Sequence, residues 1–439
     1  MNLVPRAFRE GKQKDYITNL EGHMDVQFGF DKEKITVSIP DKNYMGTLVP
    51  NEVELDLTGH EEVVRALQNP IGSKRLSEIV RPGEKIAIIT SDITRPVPSY
   101  KIIPHVLDEL HEAGCKNEDI FVVFALGSHG GHTEERMRQM VGDEVYEQVT
   151  CMDSDMNNTK HLGVTSRGTP VDIFTPVAEA DRVICIGNIE YHYFAGYSGG
   201  AKAIMPGVST RDAIQNNHSA MVEPTACAGK LEGNPVREDI EESGEILGID
   251  FIVNVVLNEK KEIIKAFCGD KVLAHREGCK FLDSFYAIEI EKKADIVLVS
   301  AGGFPKDINM YQAQKALDNA KHAVREGGIV IWIAACSEGL GEKHFEDWMT
   351  GHEKASDMIT HIRKDFVLGG HKAAAIAMVL ENARIMLVSN FDADFVRSVF
   401  LEPYSSIDVA LADALEALGD NASVLAMPYG GSTLPRVRA

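Results

Sequence analysis

Four polar segments of the sequence follow apolar runs that are typical of buried strands, and they carry the residues best suited to chemistry. The first, residues 91–96, places Asp92, Thr94 and Arg95 in one turn. A guanidinium beside backbone N–H groups can hold a phosphate or a carboxylate. The same residues also suit the entry turn of a helix, with Asp92 or Thr94 as the N-cap. This segment alone leaves both interpretations open.

The second segment, residues 127–133, is a glycine-rich turn that contains two histidines, His129 and His132. Imidazole titrates near neutral pH, so either ring is a candidate general acid or base. The alternative is a flexible turn with solvated histidines, in which Thr133 caps the helix that follows.

The third segment, residues 190–219, combines glycines and aromatic residues with candidate reactive groups. These candidates are His192, Ser198, Gly199, Gly200, Lys202 and His218. The glycines allow the backbone to approach a bulky ligand closely. Lys202 would be a nucleophile if desolvation lowered its pKa. The alternative is a solvated lysine with surface or core histidines, but the composition of the segment favours a ligand site.

The same segment has a weak similarity to a phosphate-binding P-loop, which would indicate a nucleotide-dependent phosphotransferase. The P-loop pattern has Gly before the lysine and Ser or Thr after it, whereas Ala201 and Ala203 flank Lys202. The hydroxyl after the lysine is the usual Mg²⁺ ligand, so its replacement argues against this alternative.

The fourth segment, residues 301–315, follows another strand and opens a helix. Tyr311 and Lys315 are four residues apart and share one helical face, with Gln312 beside them. This group suits the binding of a carboxylate, although an ordinary amphipathic helix face explains the same pattern.

Strand-like and helix-like segments alternate almost throughout, which predicts two α/β domains with mainly parallel sheets. We predict strands at residues 85–90, 120–126, 182–187, 251–258, 262–267, 295–300, 328–335, 383–389 and 422–427, and a small antiparallel sheet near residues 35–40. The expected domains are an N-terminal cofactor-binding domain (1–270), a C-terminal domain (285–425) and a tail (426–439). Ligands of open α/β sheets collect beyond the carboxyl ends of strands, so we expect the active site in the cleft between the domains.

The composition limits the classes of partner. The 439 residues carry a net charge of −21, which argues against a nucleic-acid or anionic-membrane partner. The seven scattered cysteines, with no C-x-x-C pair, favour free thiols in a reducing compartment. No apolar run reaches the ~18 residues of a membrane span, and the first residues lack the apolar core of a secretory signal. We therefore expect a cytoplasmic protein.

Taken together, the four segments and their neighbours resemble one known family, the nickel-pincer-nucleotide-dependent lactate racemases with their 2-hydroxyacid racemase and epimerase homologues. The resemblance covers nearly the whole chain and depends on the order and spacing of its motifs. The motifs are NPIGSKRLSEI (69–79), SDITRPVPS (91–99), GSH (127–129), EYHYFAGYSGGAKAIMPG (190–207), NNHS (216–219), FIVNVVLNEKKEII (251–264) and NMYQAQK (309–315).

The resemblance implies a cofactor, the nickel-pincer nucleotide, which is a pyridinium-3,5-bisthiocarboxylic acid mononucleotide that holds Ni(II). The match of SGGAK makes Lys202 its covalent tether, and the match of NNHS makes His218 the protein ligand of nickel. Imidazole is a suitable ligand for Ni(II). The remaining cofactor contacts are expected from Asp92, Thr94, Arg95, Ser198, Gly199 and Gly200. Separate cofactor-synthesis enzymes would have to supply this group.

The resemblance also implies the reaction, a reversible hydride transfer from Cα of a 2-hydroxy acid. His129 and His192 match the two histidines that exchange the hydroxyl proton, whereas His132 has no counterpart. A symmetric reaction needs one base on each face of the substrate, and imidazole serves as acid or base near neutrality. The substrate side matches Arg95, Tyr311, Gln312 and Lys315. Arg95 and Lys315 are expected to hold the carboxylate.

One departure from the family concerns the substrate. Lactate-specific members place a tryptophan on a C-terminal helix, and the alignment puts His371 at that place. A histidine removes the apolar wall for the methyl group of lactate. We therefore expect a more polar 2-hydroxy acid, such as a malate-like diacid or a sugar acid epimerised at C2. Lactate racemase proper and a non-catalytic protein that binds nucleotides or sugar acids remain as alternatives.

Overall fold

The computed structural model describes residues 17–438 except residues 21, 96 and 259. It forms two compact units. One unit comprises residues 52–285, and the other comprises the described residues up to Asn51 together with those from Tyr286 onward. The expectation that no secretory signal opens the chain concerns residues 1–16, which lie outside the described residues.

Strands and helices alternate along the described chain. Its strands are β1 (Ile17–Leu20), β2 (His23–Phe30), β3 (Glu33–Pro40), β4 (Tyr44–Thr47), β5 (Ile86–Ser91), β6 (Ile120–Ala125), β7 (Thr150–Asp153), β8 (Thr159–Val164), β9 (Pro170–Phe174), β10 (Arg182–Asn188), β11 (Tyr191–His192), β12 (Gly196–Tyr197), β13 (Phe251–Leu257), β14 (Ile263–Gly269), β15 (Ala287–Ile290), β16 (Ala294–Ser300), β17 (Val324–Ile333), β18 (Ala383–Val388), β19 (Glu402–Tyr404), β20 (Val424–Met427) and β21 (Leu434–Val437).

The helices connect these strands. They are α1 (Gly59–Gln68), α2 (Leu76–Ile79), α3 (Ser99–Glu112), α4 (Glu134–Val141), α5 (Asp143–Gln148), α6 (Thr175–Ala178), α7 (Arg211–Ser219), α8 (Pro235–Leu247), α9 (Leu273–Tyr286), α10 (Met310–Ala320), α11 (Lys343–Gly351), α12 (Ala355–Lys364), α13 (Gly370–Leu380), α14 (Ala393–Ser398) and α15 (Ile407–Leu418). Short 3₁₀ helices cover Asn117–Asp119, Gly200–Ala203 and Ala220–Val222. Within the described range, no helix has the length and apolar character needed to cross a membrane.

The unit of residues 52–285 contains a six-stranded sheet in the order β14-β13-β10-β5-β6-β7. Its neighbouring strands run parallel except for β13 and β14, which form an antiparallel pair. The side chains of β5 and β10 are almost all buried, as expected of parallel strands covered on both faces. Because β6, β5 and β10 are parallel neighbours, the loops that follow them leave the same edge of the sheet. Those loops carry the first three polar segments of the sequence.

The other unit contains a six-stranded parallel sheet in the order β19-β18-β17-β16-β20-β4. A three-stranded antiparallel sheet, β1-β2-β3, contributes Val26, Phe28, Val37 and Ile39 to the same hydrophobic core. Helix α10, which carries the fourth polar segment, begins ten residues after the last residue of β16.

The predicted fold class is confirmed: the chain is α/β with mainly parallel sheets. The predicted strands correspond to β5, β6, β10, β13, β14, β16, β17, β18 and β20, and residues 35–40 lie in the antiparallel sheet as part of β3. The cleft between two domains stays a prediction.

The division of the chain differs from the predicted domains at both ends. The described residues before 52 group with the C-terminal part, because β4 pairs with β20 and because β2 and β3 pack into its core. The predicted tail, residues 426–439, contains the end of β20 and the whole of β21, which pairs with β15. Both segments pair with strands far away along the chain, which leaves no local signal in the sequence.

The contribution of the early strands to this core can be tested with Phe28→Ala. The Phe28 side chain is fully buried, so we expect a loss of about 3–5 kcal/mol in the free energy of unfolding. The control is Val409→Ala, an exposed side chain on α15 of the same unit. It should change the free energy of unfolding by less than about 0.5 kcal/mol. Equilibrium urea unfolding measures the stability of both variants. Equal unfolding midpoints for the two variants would contradict the assignment of Phe28 to this core.

Candidate active site

The loop after β5 and the loop after β6 meet in a carboxylate–imidazole pair. His129 Nδ1 lies 2.6 Å from Asp92 Oδ2, and the hydroxyl of Thr94 donates to the same carboxylate at 2.8 Å. Burial raises the pKa of Asp92, but the bonds from His129 and Thr94 outweigh it and hold this pKa below its usual value. The carboxylate therefore accepts a hydrogen bond from Nδ1–H of His129, and the lone pair of the ring is on Nε2.

Arg95 lies on the same loop with an exposed side chain. Its positive charge lowers the pKa of both His192 and Lys202, although burial is the larger cause for each. The loop after β5 thus faces the glycine-rich segment that follows β10.

Three predicted residues surround the ring of Phe194 in the turn between β11 and β12. The imidazole of His192 lies 4.5 Å from it and that of His218 lies 4.9 Å from it, measured between ring centroids. The ammonium nitrogen of Lys202 lies 6.0 Å from the same centroid. The structure therefore brings the predicted tether, the predicted metal ligand and one predicted acid/base residue together.

The amine of Lys202 loses its proton more readily than that of an ordinary lysine. Burial, followed by the charges of Arg95 and Arg237, lowers the pKa of its amine well below the usual value. The amine is thus neutral at a lower pH than an ordinary lysine. The 3₁₀ turn that carries it is fixed by Gly200, whose N–H donates to Asn254 Oδ1 at 2.8 Å. Gly199 before it has φ +75°, and a Cβ there would lie 2.7 Å from the same oxygen.

His218 has the orientation of a metal-binding imidazole. Its Nδ1 lies 2.7 Å from Asn217 Oδ1, and Asn217 Nδ2 donates to Asp239 Oδ2 at 2.7 Å. The amide nitrogen of Asn217 donates to Asp239, so the amide oxygen of Asn217 must be the acceptor for His218. Nδ1 of His218 is therefore the protonated nitrogen that donates to this oxygen, and the lone pair is on Nε2. Metal-binding histidines are fixed by outer hydrogen bonds of this kind.

His192 has the opposite tautomer from His129. Its Nδ1 accepts the backbone N–H of Ala195 at 3.2 Å, so its proton is on Nε2. Burial and the charge of Lys202 lower the pKa of this half-buried ring well below its usual value. One imidazole of the predicted pair therefore presents a lone pair and the other presents an N–H.

Helix α8 supports this turn through residues that the sequence analysis did not identify. Asn234 caps the helix and donates to the carbonyl of Phe194 at 2.8 Å. The fully buried Arg237 donates to the carbonyls of Ala195 and Tyr197. The Asn-Pro sequence before α8 is a recognisable helix start, but nothing local indicates that its cap reaches Phe194.

Ser198, predicted to contact the cofactor, is held by the protein itself. Its hydroxyl donates to the carbonyl of Asn188 at 2.7 Å, and its own carbonyl lies 2.8 Å from Nε2 of the buried His275. Ser198 therefore fixes the shape of the turn ahead of Lys202.

The fourth segment belongs to the other unit. Asn309 caps α10 through the N–H of Gln312 at 2.9 Å, and the side chains of Gln312 and Lys315 are exposed. Lys372 on α13 donates to the carbonyl of Tyr311 at 2.7 Å, with its ammonium 3.9 Å from the centre of the Tyr311 ring. Sequence analysis missed this lysine, although it directly follows the predicted His371.

His371 is largely buried in this second group. Its Nδ1 accepts the N–H of Gly369 at 2.9 Å, so its Nε2 carries the proton. Trp348 packs against the neighbouring Gly370, where a Cβ would lie 2.4 Å from the indole. The start of α13 thus carries an imidazole followed by a cation, and the indole of Trp348 packs against the glycine before them.

The described residues contain no cluster of three or more His, Cys, Asp or Glu side chains placed to hold a metal ion. The predicted nickel would take one protein ligand, His218, because its other donors belong to the nucleotide. The Nε2 lone pair of His218 and the lowered pKa of the Lys202 amine fit that cofactor.

Comparison with known proteins identifies the family of the chain. Residues 30–229 match the family described as the lactate racemase N-terminal domain, and residues 290–434 match its C-terminal domain. The lactate racemase of Thermoanaerobacterium thermosaccharolyticum is 31% identical over 94% of this chain and 99% of its own length. That of Lactiplantibacillus plantarum is 34% identical over 92% and 98%. The chain belongs to the lactate racemase family.

Solved structures lead to the same conclusion. The apoprotein of the Thermoanaerobacterium lactate racemase matches with a TM-score of 0.83 and covers 94% of this chain and 100% of its own. A Thermotoga maritima protein, 18% identical, shares the fold with a TM-score of 0.62 over 87% of this chain and 100% of its own. Membership in the lactate racemase family confirms the predicted family and the isomerase class, and it does not favour a phosphotransferase or a non-catalytic protein.

The lowered pKa of Lys202 can be measured by acetylation across a pH series with peptide mass analysis. A lowered pKa means that the amine loses its proton at lower pH, so the labelling midpoint of Lys202 should lie below the ~10.4 of ordinary lysines. Arg95→Ala removes a nearby cation and should raise that midpoint. The exposed Lys280 is the internal control, and a Lys202 midpoint equal to that of Lys280 would contradict the assignment.

Proposed function

We propose that this protein racemises or epimerises a 2-hydroxy acid by reversible hydride transfer, with a nickel-pincer nucleotide as its cofactor. The observation that supports this most directly is the convergence of Lys202, His192 and His218 on the ring of Phe194. A nucleophilic amine and an oriented imidazole are the two groups that a tethered metal nucleotide requires from the protein.

Lys202 would hold the cofactor covalently and His218 would bind its nickel through Nε2. When bound, the nucleotide supplies an acceptor that takes the Cα hydride and returns it. Asn217 and Asp239 keep the His218 ring in its binding orientation.

His129 is suited to take the hydroxyl proton of the substrate through Nε2. The charge of Asp92 stabilises the imidazolium that forms, as a carboxylate does in other carboxylate–histidine pairs. His192 presents its Nε2 proton instead. To give a proton to the substrate, His192 would first take a second proton on Nδ1 and release the N–H of Ala195, because a neutral imidazole that lost its only proton would become an anion. The neutral ring that remains would take the proton back in the reverse direction.

Arg95 and Lys315 are the proposed partners of the substrate carboxylate, because both are cations with exposed side chains. A guanidinium binds a carboxylate with two parallel hydrogen bonds, and a second cation strengthens the attraction. These local charges allow a protein of net charge −21 to bind an acid.

The identity of the acid depends on the group around α13. The relatives are named for lactate, which supports lactate itself. The imidazole of His371 and the ammonium of Lys372 favour a substrate with a second polar or anionic group. We therefore propose a malate-like diacid or a sugar acid epimerised at C2.

The proposed setting is the cytoplasm, where cofactor-synthesis enzymes would supply the nucleotide. The seven cysteines form no disulfide, which suits a reducing compartment. We propose no nucleic acid or membrane as a partner.

The cofactor and the reaction can be tested together. Protein co-expressed with the pincer-synthesis enzymes should carry a nucleotide-sized adduct by intact mass, and Lys202→Ala should lack it. Racemisation in D₂O should leave Cα without deuterium, because the transferred hydride never exchanges with solvent. Deuterium at Cα would indicate proton abstraction and contradict hydride transfer, and a wild-type protein without adduct or bound nickel would contradict the cofactor.

The substrate can be tested with a panel of lactate, malate and C2-epimeric sugar acids. We expect kcat/KM to be highest for a polar acid, and His371→Leu to lower that value roughly tenfold, the cost of one hydrogen bond to a charged group. The same substitution should change kcat/KM for lactate only slightly. The control is His344→Leu on the exposed face of α11, and lactate as the preferred substrate of the wild type would contradict a polar substrate.

A further inference from the structure

His132 is a buried imidazole in the loop after β6 that the proposed mechanism does not use. Its side chain is 3% exposed, although the two residues before it are glycines in an exposed turn. The ring packs edge-on against Phe124, with ring centroids 5.5 Å apart. A histidine buried beside a reactive loop needs hydrogen-bond partners for both ring nitrogens.

Both nitrogens of His132 have defined partners. Nε2 accepts the backbone N–H of Ile93 at 3.2 Å, which places the ring proton on Nδ1. Nδ1 donates to Asp153 Oδ1 at 2.6 Å, and Asp153 Oδ2 accepts the backbone N–H of His132 at 2.6 Å. The carboxylate at the end of β7 therefore fixes the ring, and the ring fixes Ile93.

Ile93 directly follows Asp92, the residue that orients His129. Its side chain is 47% exposed, so side-chain packing contributes little to the position of this backbone. Two imidazole–carboxylate pairs thus lie on adjacent loops: Asp92 with His129, and Asp153 with His132. The second pair holds the loop on which the first depends.

We propose that His132 is a positioning residue for the reaction: through Asp153 and the Ile93 N–H it sets the position of Asp92 and so the direction of His129 Nε2. The inference rests on the proposed function in that His129 is the base. A base displaced by a fraction of an ångström loses rate. Arg95, on the same loop, is only one of the two proposed carboxylate partners, and Lys315 lies on a different segment. His132 should therefore act on kcat more than on KM.

The test compares His132→Phe with His161→Phe in protein loaded with cofactor by co-expression. Phenylalanine keeps the contact with Phe124 and removes both hydrogen bonds. His161 is a matched control, because its Nδ1 lies 2.7 Å from Asp172 in an exposed pair of the same unit. We expect His132→Phe to lower kcat about 10- to 100-fold with a smaller change in KM, and His161→Phe to change neither.

A rescue variant separates positioning from general disruption. His132→Gln offers an amide oxygen for the Ile93 N–H and an amide nitrogen for Asp153, so it should recover at least fivefold of the kcat lost in His132→Phe. A kcat of His132→Phe within twofold of wild type would overturn the inference. So would an equal fall in His161→Phe, or a glutamine variant no better than phenylalanine.

A second measurement does not depend on the loaded enzyme. In the full-length, unloaded chain with ¹⁵N-labelled histidine, two-bond ¹H–¹⁵N spectra should give the Nδ1–H tautomer for both His129 and His132. His132→Phe should shift or broaden the His129 signals, and His161→Phe should leave them in place. Unchanged His129 signals would overturn the inference, whereas a loaded wild type without racemase activity would overturn the proposed function alone.

Discussion

The buried guanidinium of Arg237 is the constraint on which the proposed site depends. It is fully enclosed, its nearest carboxylate oxygen, on Glu241, lies 3.9 Å away, and it donates to the carbonyls of Ala195 and Tyr197. A cation taken out of water at this depth is costly unless such partners surround it. The turn that bears His192 is therefore held in one shape. The same charge lowers the pKa of Lys202, after burial itself and Arg95.

Helix α8 links this constraint to the rest of the site. Asn234 at its start fixes Phe194, and Asp239 in its second turn fixes Asn217 and hence the ring of His218. One element thus positions the proposed tether region and the proposed metal ligand together. A rigid helix holds side chains more accurately than loops do, which suits chemistry that needs two groups at a fixed separation.

The sequence alone was enough to predict the strands β5, β6 and β10 and the loops that follow them, because an apolar run is a local signal. Through their motifs it also indicated His192, Lys202 and His218, which the structure places around Phe194. It did not reveal Asn234, Arg237 or Lys372, whose partners lie 40 to 61 residues away. Nor did it place the early strands, since the register of β4 against β20 is decided by pairing across the chain.

That pairing has a consequence for how the chain is made. Asn43, next to β4, bonds to the carbonyl of a residue 377 positions later. At ~5–20 residues per second, a ribosome needs roughly 20 to 75 seconds to cover that interval. Residues 52–285 interrupt the other unit in sequence. They can complete their own sheet during this time, while the other unit still lacks its C-terminal part. Until β20 emerges, β4 lacks its partner strand, and unpaired strand edges are the features that most readily pair with the wrong chain.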